Sequence, residues 1–122
     1  MTYTISKDHH FSASHQLAGL ADDHPCARLH GHNYALRVEV AAQELTGPGF
    51  VVDYGLFADY LAWVDKTLDH RHLNDQVEFN PTAENLSRWL QAHAERMIPV
   101  PPGAQVTVAV SETPKTWARW SP

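Results

Sequence analysis

The chain has 122 residues, 43% of them hydrophobic and 19% charged, an ordinary globular mix and a length that suits one domain over residues 1–122. Fourteen acids against nine Lys and Arg leave a net charge of −5, which argues against nucleic acid or an anionic membrane as the main partner. No apolar run approaches the roughly 20 residues of a membrane span, Met1-Thr2-Tyr3 lacks a signal-peptide pattern, and a lone cysteine, Cys26, excludes an internal disulfide and suits a reducing cytoplasm.

Thr2 to Gln16 reads as a strand, with Phe11, Ala13 and His15 on one face because side chains alternate. Leu17 to Leu29, with Gly19, Pro25 and several Asp, reads as a loop. Asn33 to Gln43 is a second strand, in which Tyr34, Leu36, Val38 and Val40 alternate with Arg37 and Glu39. Thr46-Gly-Pro-Gly49 is a turn, and Phe50-Val51-Val52 a short apolar strand. Asp53 can cap a helix to about Leu68, whose stripe is Leu56, Phe57, Tyr60, Leu61, Val64 and Leu68. Asp69 to Asn80 is polar and irregular. Thr82 caps a second helix with Glu84 in its positive first turn and a stripe of Leu86, Trp89, Leu90, His93 and Met97. Ala104 to Glu112 is the last strand, with Val106, Val108 and Val110 on one face and Pro114 as its stop. Strands before and after a helix pair predict an α+β fold, both helices on one face of an antiparallel sheet. A small sheet of this kind leaves an edge unpaired unless subunits cover it.

Nine histidines, as many as Lys and Arg together, raise the question of a metal. In Cys26-Ala-Arg-Leu-His30-Gly-His32-Asn-Tyr34, the two-residue spacing puts both imidazoles on one side of an extended backbone, with Tyr34 and Leu36 following inward. Gly31 lets the backbone approach what the rings hold. Catalytic zinc usually takes three protein ligands, and antiparallel pairing can set His15 beside His30. Zinc is the first expectation, while nickel, iron and copper also suit imidazole. Cys26 is open to three roles: fourth ligand, reactive thiol, or small buried hydrophobe. Asp69-His70-Arg71-His72 follows the first helix. There a histidine either favours the helix dipole's negative end or serves as an acid/base oriented by a carboxylate, with His72 equally eligible. Neighbours in a chain rarely aim at each other, so Asp69 need not contact His70 directly. Glu112 continues the parity of Val110 and is either solvated or able to accept paired N–H bonds in a pocket.

In order along the chain, Phe11-Ser-Ala-Ser-His15, Cys26-x3-His30-Gly-His32-Asn-Tyr34, Val52-Asp53-Tyr54, Leu68-Asp69-His70-x-x-Leu73-Asn74, Asn80-Pro81-Thr82-Ala-Glu84-Asn85 and Ser111-Glu112-Thr113-Pro114 resemble the 6-pyruvoyltetrahydropterin synthase / 6-carboxytetrahydropterin synthase family. The resemblance implies a T-fold, a four-stranded antiparallel sheet with two helices on one face, closing into a barrel as a trimer that pairs into a hexamer. It implies Zn2+ on His15, His30 and His32, a catalytic set of Cys26, Asp69 and His70, Glu112 on the pterin ring, and active sites at subunit boundaries. The short Cys26-x3-His30 gap resembles the bacterial 6-carboxytetrahydropterin branch. That branch implies a cytoplasmic lyase of queuosine and 7-deazapurine biosynthesis, converting 7,8-dihydroneopterin triphosphate to 6-carboxytetrahydropterin, acetaldehyde and triphosphate. Other readings are a 6-pyruvoyl product, a non-catalytic zinc- or pterin-binding protein, and an α+β metallohydrolase.

Overall fold

Two long strands form where the alternation is strongest. In the computed structural model, which describes residues 1–122, β1 (Tyr3–His15) and β2 (His30–Ala42) pair antiparallel along their whole length, from Tyr3↔Ala42 to His15↔His30. Phe11, Ala13, His15, Tyr34, Leu36, Val38 and Val40 are buried on the shared face. β2 starts at His30 rather than Asn33, so both imidazoles of His-Gly-His stand within the strand. Gly31 has a specific neighbour: a Cβ there would meet the Ala13 carbonyl oxygen of β1 at 3.3 Å, so the close approach is between strands.

Helix α1 (Ala58–Leu68) follows one 3-10 turn, Tyr54–Phe57. Asp53 caps that turn, its Oδ1 accepting the Gly55 N–H at 2.8 Å. A single short turn, α2 (Leu73–Gln76), precedes α3 (Ala83–Met97). Thr82 caps α3 as expected, accepting the Asn85 N–H at 3.1 Å. The remaining strands are β3 (Arg71–His72), β4 (Gln105–Ser111) and β5 (Ala118–Arg119).

The sheet order is β3-β1-β2-β4-β5. It therefore has five strands, not four, and it is mixed rather than purely antiparallel, because β3 runs parallel to β1. Two-residue strands carry no readable alternation, which is why the sequence hid both edges. Phe50-Val51-Val52 is not a strand: Thr46 and Phe50 close the turn on each other, with Gly47 and Gly49 at positive φ. Val51 enters the core as a single anchor.

The core holds 21 buried apolar residues between the sheet and the helices. On α3 the buried face is Leu86, Ser87, Leu90, Gln91 and Ala94, rotated from the expected stripe. Trp89 and His93 lie at its flank, where they pack against Trp63 of α1 with ring centroids 5.2 and 4.2 Å away. Gln91 is fully buried for a specific reason. Its Nε2 donates to Val106 O and its Oε1 accepts the Val108 N–H, both at 2.8 Å, satisfying backbone of β4 that no strand reaches.

Candidate metal centre and active site

His15, His30 and His32 converge at one end of the β1–β2 pair, their nearest ring nitrogens within 4.8 Å of one another. The register does this: His15 and His30 are direct partners, and His32 faces the same way two residues on. Second contacts fix each ring. His15 Nδ1 donates to Pro81 O at 2.8 Å, and His30 Nδ1 donates to Arg28 O at 2.7 Å. With the proton on Nδ1, both Nε2 atoms present lone pairs, and they stand 2.9 Å apart. The Nε2 of His32 is buried without a partner. Three bare imidazole nitrogens turned on one point are the donor set of a cation, and carbonyl partners on the far nitrogens are the usual support of metal-binding histidines. Burial holds the pKa of His15 and His32 below the ordinary histidine value, which favours the neutral, ligating form. These three residues could hold a metal ion.

Cys26 is not part of that convergent set. It is half-buried in a 3-10 turn, Pro25–Ala27, whose cap is His24: His24 Nδ1 accepts the Cys26 N–H at 3.1 Å. The Leu17 N–H donates to Cys26 O at 3.0 Å, closing the loop onto the end of β1.

Asp69 and His70, which as chain neighbours need not meet, touch directly. His70 has φ of +57°, and in that left-handed conformation its ring swings back so that Nδ1 lies 3.0 Å from Asp69 Oδ2. A non-glycine residue there costs roughly 1–3 kcal/mol, and Ser12 holds it in place. The His70 N–H donates to Ser12 O, and the Ser12 N–H donates to Asp69 Oδ1 at 2.9 Å. The Ser12 N–H bond first, then the His70 ring, keep the Asp69 carboxyl below the usual carboxylate range. An ionised Asp69 fixes the proton on His70 Nδ1 and leaves Nε2 as a base, on a side chain that is 83% exposed.

Glu112 is half-buried, with Oε2 3.9 Å from His32 Nε2. It sits on the metal side and not among the residues lining the cleft beside His70. That cleft, about 500 Å³, runs along the β1–β3 edge between His32 and His70.

Residues that composition and spacing did not single out hold this site together. Asn74 and Asn80 each clamp a backbone unit of the segment after His15. Ser14 Oγ bonds His72 Nδ1 at 2.9 Å. His9 Nε2 bonds Asp65 Oδ1 of α1 at 2.6 Å.

The sequence profile described as 6-pyruvoyl tetrahydropterin synthase matches residues 4–122. The 6-carboxy-5,6,7,8-tetrahydropterin synthase of Bacillus subtilis is 30% identical, the match covering 99% of this chain and 86% of that protein. The protein of the same name from Synechocystis sp. is 37% identical, over 76% of this chain and 75% of its own. Among solved structures, the fold superposes on Caenorhabditis elegans 6-pyruvoyl tetrahydropterin synthase with a TM-score of 0.84 at 26% identity, covering 100% of this chain and 96% of the other.

Proposed function

Since the chain belongs to the 6-pyruvoyl tetrahydropterin synthase family, we propose that it converts 7,8-dihydroneopterin triphosphate and water to 6-carboxy-5,6,7,8-tetrahydropterin, acetaldehyde and triphosphate. The observation that carries the reading is the orphaned Nε2 of His32 facing the bare Nε2 atoms of His15 and His30. The curated relatives of Bacillus subtilis and Synechocystis, both named for the 6-carboxy product, support the choice of product.

His15, His30 and His32 hold Zn2+ in this reading. When bound, zinc supplies Lewis-acid polarisation of the substrate's side-chain hydroxyls. Cys26, as thiolate, removes a proton from the side-chain carbon. His70 moves protons on and off the hydroxyls through Nε2, while Asp69 keeps its tautomer. Glu112 accepts paired N–H bonds from the aminopyrimidine edge of the pterin. Elimination releases triphosphate, and carbon–carbon cleavage releases acetaldehyde.

The working form is a homo-oligomer, a trimeric barrel that pairs into a hexamer, with active sites at subunit boundaries. Two observations support it. From Tyr3 to Ser12 the outer edge of β1 has no strand partner, which suits pairing with a second copy. His70 is 83% exposed in one chain, which suits a base completed by a neighbouring subunit. The product serves queuosine and 7-deazapurine synthesis in the cytoplasm.

Incubating the purified protein with dihydroneopterin triphosphate tests the proposal. Acetaldehyde together with a 6-carboxy product supports it. A 6-pyruvoyl product without acetaldehyde sinks the 6-carboxy assignment, and no turnover with zinc bound sinks the catalytic one.

A further inference from the structure

We propose that Ser14 and His72 form a two-ended proton relay, which puts on carbon the hydrogen that acetaldehyde needs after triphosphate has left. The inference rests on the reaction proposed above and adds to it a step to which no group has been assigned.

The need comes from the chemistry. Cys26 takes a proton from carbon and His70 serves the hydroxyls of the intact side chain. Elimination then leaves an enol whose terminal CH2 has lost triphosphate. In acetaldehyde that carbon is a methyl group, so one C–H bond must form there while the enol O–H bond breaks. Both atoms are ends of the same O–C=C unit, and a proton passing directly between them would follow a strained four-membered path. A relay that accepts at one end and donates at the other avoids that path.

The structure supplies two such ends. β3 runs parallel to β1 and sets His72 against Ser14, where Ser14 Oγ meets His72 Nδ1 at 2.9 Å. Both residues line the cleft that also holds His70 and His32, and the bond to Ser14 leaves His72 Nε2 free for that cleft.

Their partners give the two cleft histidines different abilities. The ionised Asp69 carboxylate only accepts, so it holds neutral His70 in one tautomer, with the proton on Nδ1. A hydroxyl both accepts and donates, so Ser14 supports neutral His72 in either tautomer. His70 is therefore set as a base. His72 can give a proton from Nε2 as it takes another at Nδ1.

The step balances. The enol hydroxyl gives its proton to Ser14 Oγ, Ser14 passes its own hydrogen to His72 Nδ1, and the proton on Nε2 goes to the terminal carbon. The O–H pair becomes the second bond of the carbonyl, and the C=C pair forms the new C–H bond. The relay ends in its other tautomer and is reset by proton exchange with solvent.

The test follows triphosphate and acetaldehyde separately through a single turnover of dihydroneopterin triphosphate, with metal-loaded protein in excess. Metal content is checked in each variant, because Ser14 adjoins the ligand His15. In His72→Gln, acetaldehyde formation should slow by about 10²–10⁴, the usual share of a positioned acid or base, while the rate of triphosphate release is nearly kept. Ser14→Ala should show the same split. Ser14→Thr, which keeps the hydroxyl, should restore the acetaldehyde rate. A merely structural role would slow both products alike. Equal slowing of the two products, or acetaldehyde formed at the full rate in His72→Gln, overturns the relay and leaves the proposed reaction standing. Wild-type protein that makes no acetaldehyde removes the proposed reaction, and the relay falls with it.

Discussion

The carboxamide of Asn80 pairs with both backbone groups of Ala18. The Ala18 N–H donates to Asn80 Oδ1 at 2.9 Å, and Asn80 Nδ2 donates to Ala18 O at 3.0 Å. Asn74 does the same to Gln16, at 2.9 and 2.8 Å. Each side chain does the work of one residue of a neighbouring strand, so the segment after His15 stays extended without one. Leu17, between the two clamped residues, is then presented to Cys26 O. In this way two asparagines outside the proposed catalytic set position the loop that carries the cysteine.

Asn80→Ala should therefore loosen Cys26. Its bonds are solvent-exposed, so the stability cost stays near 0.5–1.5 kcal/mol per bond and Tm falls by a few degrees. The sharper readout is alkylation of Cys26 by iodoacetamide, which should speed up, while kcat falls and bound metal is retained. Unchanged alkylation and unchanged kcat would show that the clamp has no bearing on the loop.

His32→Ala should remove most bound metal. Two nitrogens remain, from His15 and His30, and an incomplete site binds a divalent cation far more weakly. Metal analysis after dialysis should show occupancy reduced at least tenfold, since losing even a hydrogen-bond partner of a ligand costs about 10–100-fold. Full occupancy would contradict the site. His30→Ala should behave alike, because its Nε2 stands 2.9 Å from that of His15.

The histidine centre was legible because it depends on alternation and pairing. Phe11, Ala13 and His15 share the buried face as the alternation predicts, and register brings His15 opposite His30. What stayed hidden depends on single dihedral angles or on tertiary partners. One positive φ, at His70, turns two chain neighbours toward each other, and no spacing rule encodes that. The buried face of α3 was misjudged because Trp63 offers Trp89 and His93 a flanking place while β4 demands the amide of Gln91. Asn74 and Asn80 lie in motifs the sequence displays, but their partners are backbone atoms some 60 positions away, and side-chain patterning is blind to those.

Gln91→Leu tests that last point on stability. The substitution nearly keeps the volume but strips the partners from Val106 O and the Val108 N–H, both buried. Each orphaned buried group costs about 1–3 kcal/mol, so chemical denaturation should show a loss of about 2–6 kcal/mol. The histidine centre lies at the other end of the sheet strands and should keep its metal below the lowered Tm. A loss under about 0.5 kcal/mol would mean the β4 backbone finds other partners.

Asp69→Asn separates orientation from fold. The carboxamide oxygen can still accept the Ser12 N–H, but its NH2 then faces His70 Nδ1 and forces the proton onto Nε2. A base becomes a donor, and kcat should fall by about 10²–10⁴, the usual worth of general acid–base catalysis. Because the Ser12 N–H and the His70 ring hold the Asp69 carboxyl below its ordinary value, its stabilising contribution is present at neutral pH and is lost only as pH falls through the folded pKa. Stability at pH 7 should therefore drop slightly in the variant, and less at strongly acidic pH. Full turnover would remove His70 from the proton path.

Cys26→Ala decides between thiol chemistry and metal ligation. Cys26 stands apart from the three converging histidines, and its backbone is held by His24 and Leu17 whatever the side chain. The variant should fold with its stability unchanged within about 0.5 kcal/mol, as expected for a half-buried residue outside the core. Metal should stay bound in full. Turnover of dihydroneopterin triphosphate should fall by about 10²–10⁴, the share a positioned general base supplies. Loss of metal in Cys26→Ala would instead make the cysteine a fourth ligand. Unreduced turnover would assign the proton transfer to another group, and His70 would be the next to test.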